Sequence, residues 1–421
     1  MWGVKMGDIR REAYTIINES IKNVLPHKAV EKALLNRTFT GNIIVVSIGK
    51  AAWTMAEAAK KILGASIKKG IVITKYHHSQ GEIEGFEIIE AGHPVPDENS
   101  VLGTIRAIEA VKGLKETDQV IFLVSGGGSA LFEKPSEGLT LEDIKEVTGA
   151  LLKCGANIVE MNTVRKHLSE VKGGRFASLC APAKVYSIVL SDVIGDRLDS
   201  IASGPAYPDS STVNEAQDII KKYKLEFKES IQKALNKETP KMLNNVETVI
   251  TGSVSELCLA AAESAKSLGY TPFILSSTLE CEAGEAGKFV SSIAREVRRG
   301  SLYGIKPPCA VIVGGETTVK IKGNGLGGRN QELALTAAKG IAGLKDTLIF
   351  SFGSDGTDGP TDAAGGMVDG ETLEKLSGLG MDIEEILNNN DSYHGLKAAD
   401  GLIITGATGT NVNDVAVILS K

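Results

Sequence analysis

Apolar positions change period repeatedly along the chain, and each change marks an element. Ile9, Ala13, Ile16, Ile17, Ile21 and Val24 recur at helical spacing and stop before Pro26, which predicts an amphipathic helix at the start. The period then gives way to a continuous apolar run over 43–48, followed by Gly49-Lys50 and an alanine-rich helical pattern over 51–63. Further β-like runs fall at 71–74, 86–89, 120–124 and 185–190, with helical patterns between most of them. Strands that are apolar on both faces and alternate with helices predict a parallel sheet covered on both sides, a doubly wound, Rossmann-like α/β domain.

Between residues 221 and 245 the composition turns to Lys, Glu and Asn, with Thr239-Pro240 in the middle. This predicts a helix and linker and a boundary near residue 240, giving one α/β domain over 1–240 and a second over 241–421. Strand–helix alternation restarts at 248–251, 273–275, 310–313, 318–321 and 348–352. The 310–313 and 318–321 runs, separated by Gly314-Gly315-Glu316-Thr317, read as a hairpin, so the second sheet is expected to be mixed. The last runs, 402–405 and 415–419, fit either domain, so the final segment is free to return to the first.

Composition narrows the class. At 421 residues the chain exceeds one ordinary core, and 42% hydrophobic residues suffice for two or three. A net charge of −6 argues against nonspecific binding to nucleic acid or an anionic membrane, which need basic surface. A local Arg or Lys cluster can still bind a small anion. Five cysteines, odd in number and without C-x-x-C spacing, point away from a disulfide framework or zinc site and toward a reducing compartment. No secretory signal pattern opens the chain and no apolar run approaches spanning length, so a cytoplasmic globular protein is expected.

Candidate chemistry lies in the loops after strands. Gly323-Asn324-Gly325-Leu326-Gly327-Gly328-Arg329-Asn330-Gln331-Glu332 places four glycines before an arginine and two amides, ahead of a helical run over 333–338. Such a loop aims backbone N–H groups and a planar cation at one point, which suits an anion, although a plain turn uses the same residues. Ser125-Gly126-Gly127-Gly128-Ser129 follows a strand and reads as a phosphate or carboxylate cradle, with a structural turn or a serine nucleophile as alternatives. It matches neither a Walker A loop nor G-x-S-x-G. Lys50 stands at the carboxyl end of the first strand, where open α/β sheets bind ligands. Ser191-Asp192-Val193-Ile194-Gly195-Asp196 offers two carboxylates that suit either a tight loop or Mg²⁺. The run from Asn162 to Arg175, with Arg165, Lys166, His167, Lys172 and Arg175, is a solvated helix face or an anion pocket. His93-Pro94-Val95-Pro96-Asp97 is stiff, and its histidine is structural or catalytic. Asp355, Asp358 and Asp362 punctuate a further loop that lacks the EF-hand continuation.

Taken in order, these motifs, with Ile201-Ala202-Ser203-Gly204-Pro205, Gly356-Thr357-Asp358-Gly359 and Gly409-Thr410-Asn411-Val412, resemble the class II glycerate kinases, or MOFRL family. The match spans nearly the whole chain; Ala407 stands where the family more often has proline. The resemblance implies two α/β/α domains, the first with a mainly parallel and the second with a mixed sheet, and an active site in the cleft between them. It implies an ATP- and Mg²⁺-dependent kinase that phosphorylates the 2-hydroxyl of D-glycerate to give 2-phosphoglycerate and ADP. By motif, the family's important lysine and arginine fall on Lys50 and Arg329. For the metal ligand or the hydroxyl-orienting group the expected residue is Asp192, with Asp355 second as a metal ligand. The phosphate- or substrate-binding set is then Ser125, Gly126, Gly127, Gly128 and Ser129, together with Arg165, Lys172, Asn330 and Glu316. Small molecules are the expected partners, with neither nucleic acid nor membrane, as a monomer or homodimer. Two other classes stay open: an NAD(P)H-dependent hydroxypyruvate reductase, which some relatives are named, and a noncatalytic glycerate or nucleotide sensor. No G-x-G-x-x-G follows a strand with an acidic residue at the proper distance, which counts against the reductase.

Overall fold

In a computed structural model of the chain the described residues are 8–35, 37–191, 193–195, 198–300, 302 and 304–421. Contacts divide it into two compact units, one holding Pro26–Thr251 and the other the N-terminal helix with Gly252–Lys421.

The first unit is built on a six-stranded sheet of β1 (Ile43–Ile48), β2 (Ile67–Lys75), β3 (Phe86–Ala91), β4 (Gln119–Val124), β5 (Lys184–Leu190) and β6 (Val246–Gly252), in the order β3-β2-β1-β4-β5-β6. β1 pairs in parallel with β2 and β4, β2 with β3, and β4 with β5. Every residue of β1 is buried, as a β-branched run requires when helices cover both faces. The chain steps outward from β1 to β3 and then returns to the other side of β1 with β4. The loops after β1 and β4 therefore leave side by side, at the position where open α/β sheets form a crevice. Beneath them, Phe122, Phe132 and Phe176 pack with ring centroids 4.9 to 5.9 Å apart.

Residues 248–251, read from the sequence as opening the second domain, instead belong to β6 at the edge of the first sheet. Asn245 fixes that approach: its carbonyl accepts the Val185 N–H at 2.7 Å, and its side-chain amide donates to the carbonyls of Ala177 and Ala183.

The second unit carries β7 (Thr271–Leu279), β8 (Cys309–Gly315), β9 (Thr347–Gly353), β10 (Gly365–Asp369), β11 (Leu402–Ile403) and β12 (Asp414–Ser420), in the order β11-β10-β9-β12-β8-β7. β7 and β8 are parallel; β12 runs antiparallel to both β8 and β9, so the sheet is mixed. The expected hairpin between 310–313 and 318–321 does not form. Both edges of β8 are taken, by β7 and β12, and residue 318 makes only an isolated bridge to Glu282. The final strand fills the middle of its own sheet, with all seven residues buried.

The opening helix, Asp8–Asn23, packs in this second unit against the helix Val254–Ser267 and buries Ala13, Ile16 and Ile17. Arg10 Nε donates to Asp369 at 2.9 Å, and Tyr14 donates to the Leu402 carbonyl. Among the described residues no helix is long and apolar enough to cross a membrane.

Deep in the first unit, the Lys172 ammonium donates to Glu133 at 2.6 Å and to the Phe132 carbonyl at 3.0 Å, with both side chains essentially without solvent exposure. Burial pushes the lysine down to about 8, while Glu133 opposes the shift. A buried pair costs far more to break than to replace as a whole. Lys172→Met alone should therefore destabilise the chain by roughly 3–5 kcal/mol in urea unfolding, and adding Glu133→Leu should recover most of that. Equal losses in the single and double variants would contradict this account of the pair.

Candidate functional site

In the first unit the loops after β1 and β4 are stitched together. The Lys50 N–H donates to the Gly126 carbonyl at 2.9 Å, and the Ser125 hydroxyl donates to the Ile48 carbonyl at 3.2 Å while accepting the Ala51 N–H at 3.1 Å. The Ser125 hydroxyl is thus spent on joining the two strand ends. The Lys50 carbonyl accepts the Thr74 hydroxyl and lies 3.1 Å from His78 Nδ1, so the lysine's backbone is fixed from three sides. Its side chain is exposed, and among the described residues its ammonium has no carboxylate partner.

Gly127 has φ of +87°, and a methyl group there would sit 3.1 Å from His93 Nε2 and 3.4 Å from Lys50 Cγ. Any side chain at 127 would wedge between the two. Ser129 continues the loop: its hydroxyl is 2.9 Å from that of Ser203, which in turn reaches Asn162 at 3.3 Å. Ala202 and Ser203 both hold left-handed backbone, at φ of 51° and 61°, an arrangement that non-glycine residues adopt at a cost and mostly near functional loops.

The basic run from Asn162 to Arg175 is neither a solvated face nor an open pocket. Lys166 donates to Asp209 at 3.0 Å, His167 Nδ1 lies 2.9 Å from the Lys237 carbonyl, Lys172 pairs with Glu133, and Arg175 donates to the Lys237 carbonyl. Arg165 is the member that reaches the glycine-rich loop, donating from Nη2 to the Ser129 carbonyl at 3.1 Å. Its Nε is buried without a partner, and burial lowers its pKa against the pull of Glu133.

In the second unit the Gly323–Glu332 loop spends its backbone internally. The N–H groups of Lys322 and Gly323 donate to Asn390 Oδ1, that of Asn324 to Asn389 Oδ1, that of Gly325 to the Asn389 carbonyl, and that of Leu326 to Asp391 Oδ1. The helix Arg329–Ile341 that follows has Gly328 as its first cap and no side chain there to accept. Asp358 does so from a distant loop, taking the N–H of Asn330 at 3.2 Å and of Gln331 at 2.9 Å. A β-carbon at Gly328 would collide with that carboxylate, so glycine admits the cap rather than a ligand. The Asn330 side chain is buried between Asp358 and the Ser351 hydroxyl.

Arg329 is held by carboxylates from the ends of two neighbouring strands. Nε and Nη2 donate to the two oxygens of Asp414, at 2.6 and 3.1 Å, and Nη1 donates to Glu316 at 2.8 Å. Asp414 sits opposite Gly315 on β8 and Gly353 on β9, which places it where both ladders end. Burial works against the guanidinium's charge, but Asp414, Glu316 and Asp358 together hold it above its ordinary range. Burial also pushes Asp414 upward, and its bonds to Arg329 pull the other way.

These residues border a cleft of about 690 Å³ whose lining includes Glu316, Arg329, Glu332, Asp355 and Asp358. One guanidinium faces four carboxylates, with Glu332 and Asp358 raised by burial toward the neutral form. The cleft favours a cation, or an anion that arrives with one, over a bare anion.

Asp192 and Asp196 lie outside the described residues. Asp355 is partly exposed; one oxygen accepts the Thr357 N–H at 3.0 Å and the other has no partner among the described residues. The second oxygen of Glu316 is likewise uncommitted. Among the described residues no group of three or more His, Cys, Asp or Glu could hold a metal ion by itself. The uncommitted oxygens of Asp355 and Glu316 do fit Mg²⁺ in its usual phosphate-bound form, which takes one or two carboxylates and leaves the remaining positions to water and phosphate.

Sequence reading singled out neither Asp414 nor Asp358 as a partner of the 329–331 segment. An aspartate opening an otherwise apolar strand was the available signal for Asp414. A glycine at a helix start, which cannot cap with a side chain, was the signal that some other acceptor must reach Asn330 and Gln331.

Comparison with known proteins places this architecture. A domain of unknown function (DUF4147) matches residues 12–236 and the MOFRL family matches residues 309–414. The D-glycerate 2-kinase of Thermotoga maritima is 54% identical over 97% of this chain and 98% of its own length. A relative from Agrobacterium vitis that carries a provisional name as a hydroxypyruvate reductase is 41% identical over 90% of this chain and 99% of its own. The crystal structure of glycerate kinase from Thermotoga maritima superposes with a TM-score of 0.94 at 53% identity, covering 98% of this chain and 99% of that one. On full-length identity and shared fold, the chain belongs to the class II glycerate kinases, the MOFRL family.

Proposed function

We propose that this chain transfers the γ-phosphoryl group of ATP to the 2-hydroxyl of D-glycerate, releasing 2-phosphoglycerate and ADP. Within the chain, the observation that carries the reading is the Lys50 ammonium, which has no carboxylate partner among the described residues, beside the glycine-rich loop at the sheet's switch point. Phosphoryl transfer needs positioning and charge neutralisation more than covalent help, and a compact cation without a carboxylate partner supplies the charge. The reductase alternative lacks its usual sequence signature. After β1, where a dinucleotide fingerprint would stand, the chain reads Gly49-Lys50-Ala51-Ala52-Trp53, with one glycine and a side chain where the pyrophosphate must approach.

The roles divide between the units. In the first, Lys50 neutralises the transferring phosphoryl group, and Gly126, Gly127, Gly128 and Ser129 meet phosphate or carboxylate oxygens. Ser125, Arg165 and Lys172 hold that loop in shape through the bonds described above. In the second, Asp355 and Glu316 take Mg²⁺ and Arg329 orients Glu316 and Asp414, with Asn330 anchoring the start of the helix. When bound, Mg²⁺ neutralises charge on the phosphate oxygens. The partners are small molecules, and the cytoplasm is the compartment that fits ATP as substrate.

Incubation with ATP, Mg²⁺ and D-glycerate should give a new 2-position monoester in phosphorus NMR; a 3-position product would correct the regiochemistry, and no product would sink the proposal. Lys50→Ala should lower kcat by roughly 10²–10³-fold with unchanged thermal stability, since the ammonium has no partner among the described residues to lose. Arg329→Lys should lower both kcat and Tm, because an ammonium cannot serve Asp414 bidentately and Glu316 at once. Wild-type turnover in either variant removes that residue from the mechanism. Asp355→Asn should raise the Mg²⁺ concentration needed for half-maximal rate by roughly tenfold or more, read from a Mg²⁺ titration of initial rates.

A further inference from the structure

The mechanism above leaves one group at the switch point unused. His93 follows β3 and brings its imidazole against the glycine-rich loop, where Nε2 lies 3.1 Å from the position a Gly127 β-carbon would take. The same absent β-carbon is 3.4 Å from Lys50 Cγ, so imidazole and lysine stem flank one glycine. Neither ring nitrogen of His93 has a hydrogen-bond partner among the described residues, although the ring is only half-exposed. A structural histidine of that burial normally spends at least one nitrogen on a neighbour, as His78 does on the Lys50 carbonyl and His167 on the Lys237 carbonyl.

We propose that His93 accepts the proton of the attacking glycerate hydroxyl. The inference rests on the kinase reading and adds a base to it. As the 2-oxygen forms its bond to the γ-phosphorus, its proton passes to a ring nitrogen of His93. The bond from phosphorus to the β–γ bridging oxygen breaks, with its electron pair leaving on ADP. The imidazolium then returns the proton to solvent. Lys50, whose stem flanks the same glycine, neutralises the phosphoryl oxygens while the base works on the acceptor.

The surroundings keep the base neutral. The charged groups that face His93 are Lys50 from the β1 loop, Lys75 at the end of β2, and His78 just beyond it. Burial first, and then these neighbours, hold its pKa below the ordinary value. Asp97, on the same segment, is engaged by the Tyr76 hydroxyl at 2.7 Å and the Ser100 N–H at 3.0 Å. A base that must be unprotonated loses activity as pH falls through its pKa, so the wild-type rate should decline on the acid side, below about pH 6.5.

The test is the pH profile of kcat for wild type, His93→Gln and His93→Ala with ATP, Mg²⁺ and D-glycerate, together with Tm and KM. The expected result is a roughly 10²–10⁴-fold loss of kcat in His93→Gln with KM and Tm little changed, and no acid limb in its profile. Free imidazole should restore part of the turnover of His93→Ala. A variant that keeps the wild-type kcat and acid limb overturns the proposal. So does one that loses activity only through higher KM or lower Tm, with the limb intact and no rescue by imidazole. Absence of phosphorylated product from the wild-type chain would instead overturn the kinase reading, and the base with it.

Discussion

The first unit depends on one consequence of parallel pairing: a sheet whose strand order reverses leaves two loops departing side by side at the reversal. Here these are the loops after β1 and β4, and the hydrogen bond from Lys50 N–H to the Gly126 carbonyl closes them into one surface. Ser125 adds a second link by bonding both strand ends through one hydroxyl. Lys50 and Gly127 inherit their positions from these two junctions, and the His93 ring, carried by the loop after β3, rests against Gly127. The buried layer beneath, with Phe132 and the Lys172–Glu133 pair, fixes the far end of the loop from below.

The second unit solves a different problem, that of keeping a guanidinium charged and oriented while it is partly buried. Asp414 and Glu316 accept three of its N–H groups, and both stand at strand ends whose positions are set by ladder pairing. The cost is that the Arg329 charge is already offset by Asp414 and Glu316 and so attracts a further anion weakly. The same surplus of carboxylates makes the cleft suited to a divalent cation arriving with phosphate. The two units thus offer opposite electrostatics: on the first a cation with no carboxylate partner among the described residues, and on the second an acid-rich cleft.

Loops that look alike in sequence behave differently for a physical reason. Ser125–Ser129 and Gly323–Gly328 are both glycine-rich and both precede helices. In the first, a left-handed glycine makes room for two side chains whose polar ends have no partner among the described residues. In the second, the glycines admit the 389–391 segment and Asp358, which take the N–H groups of 322–326 and of 330 and 331. A backbone N–H is available to a ligand only when no internal acceptor reaches it first.

Hydrophobic period by itself determined the alternation of strands and helices, the mainly parallel first sheet and its strand-end loops, because burial on one or both faces writes a repeat directly into the chain; the second sheet is mixed through β12 rather than through the expected hairpin. The strand-end positions of Lys50 and the 125–129 loop were legible too, since charge or glycine there stands out against apolar neighbours. Which sheet takes an element was not legible: the opening helix joins the second unit, 248–251 join the first sheet, and 318–321 form no hairpin. Amphipathic stripes and short apolar runs state that a face must be buried without naming its partner. Nor could the sequence place Asp414 on Arg329, Asp358 on the helix start, or His93 beside Gly127. Those meetings join residues tens of positions apart, and only the packed tertiary structure decides which distant groups come within hydrogen-bond reach.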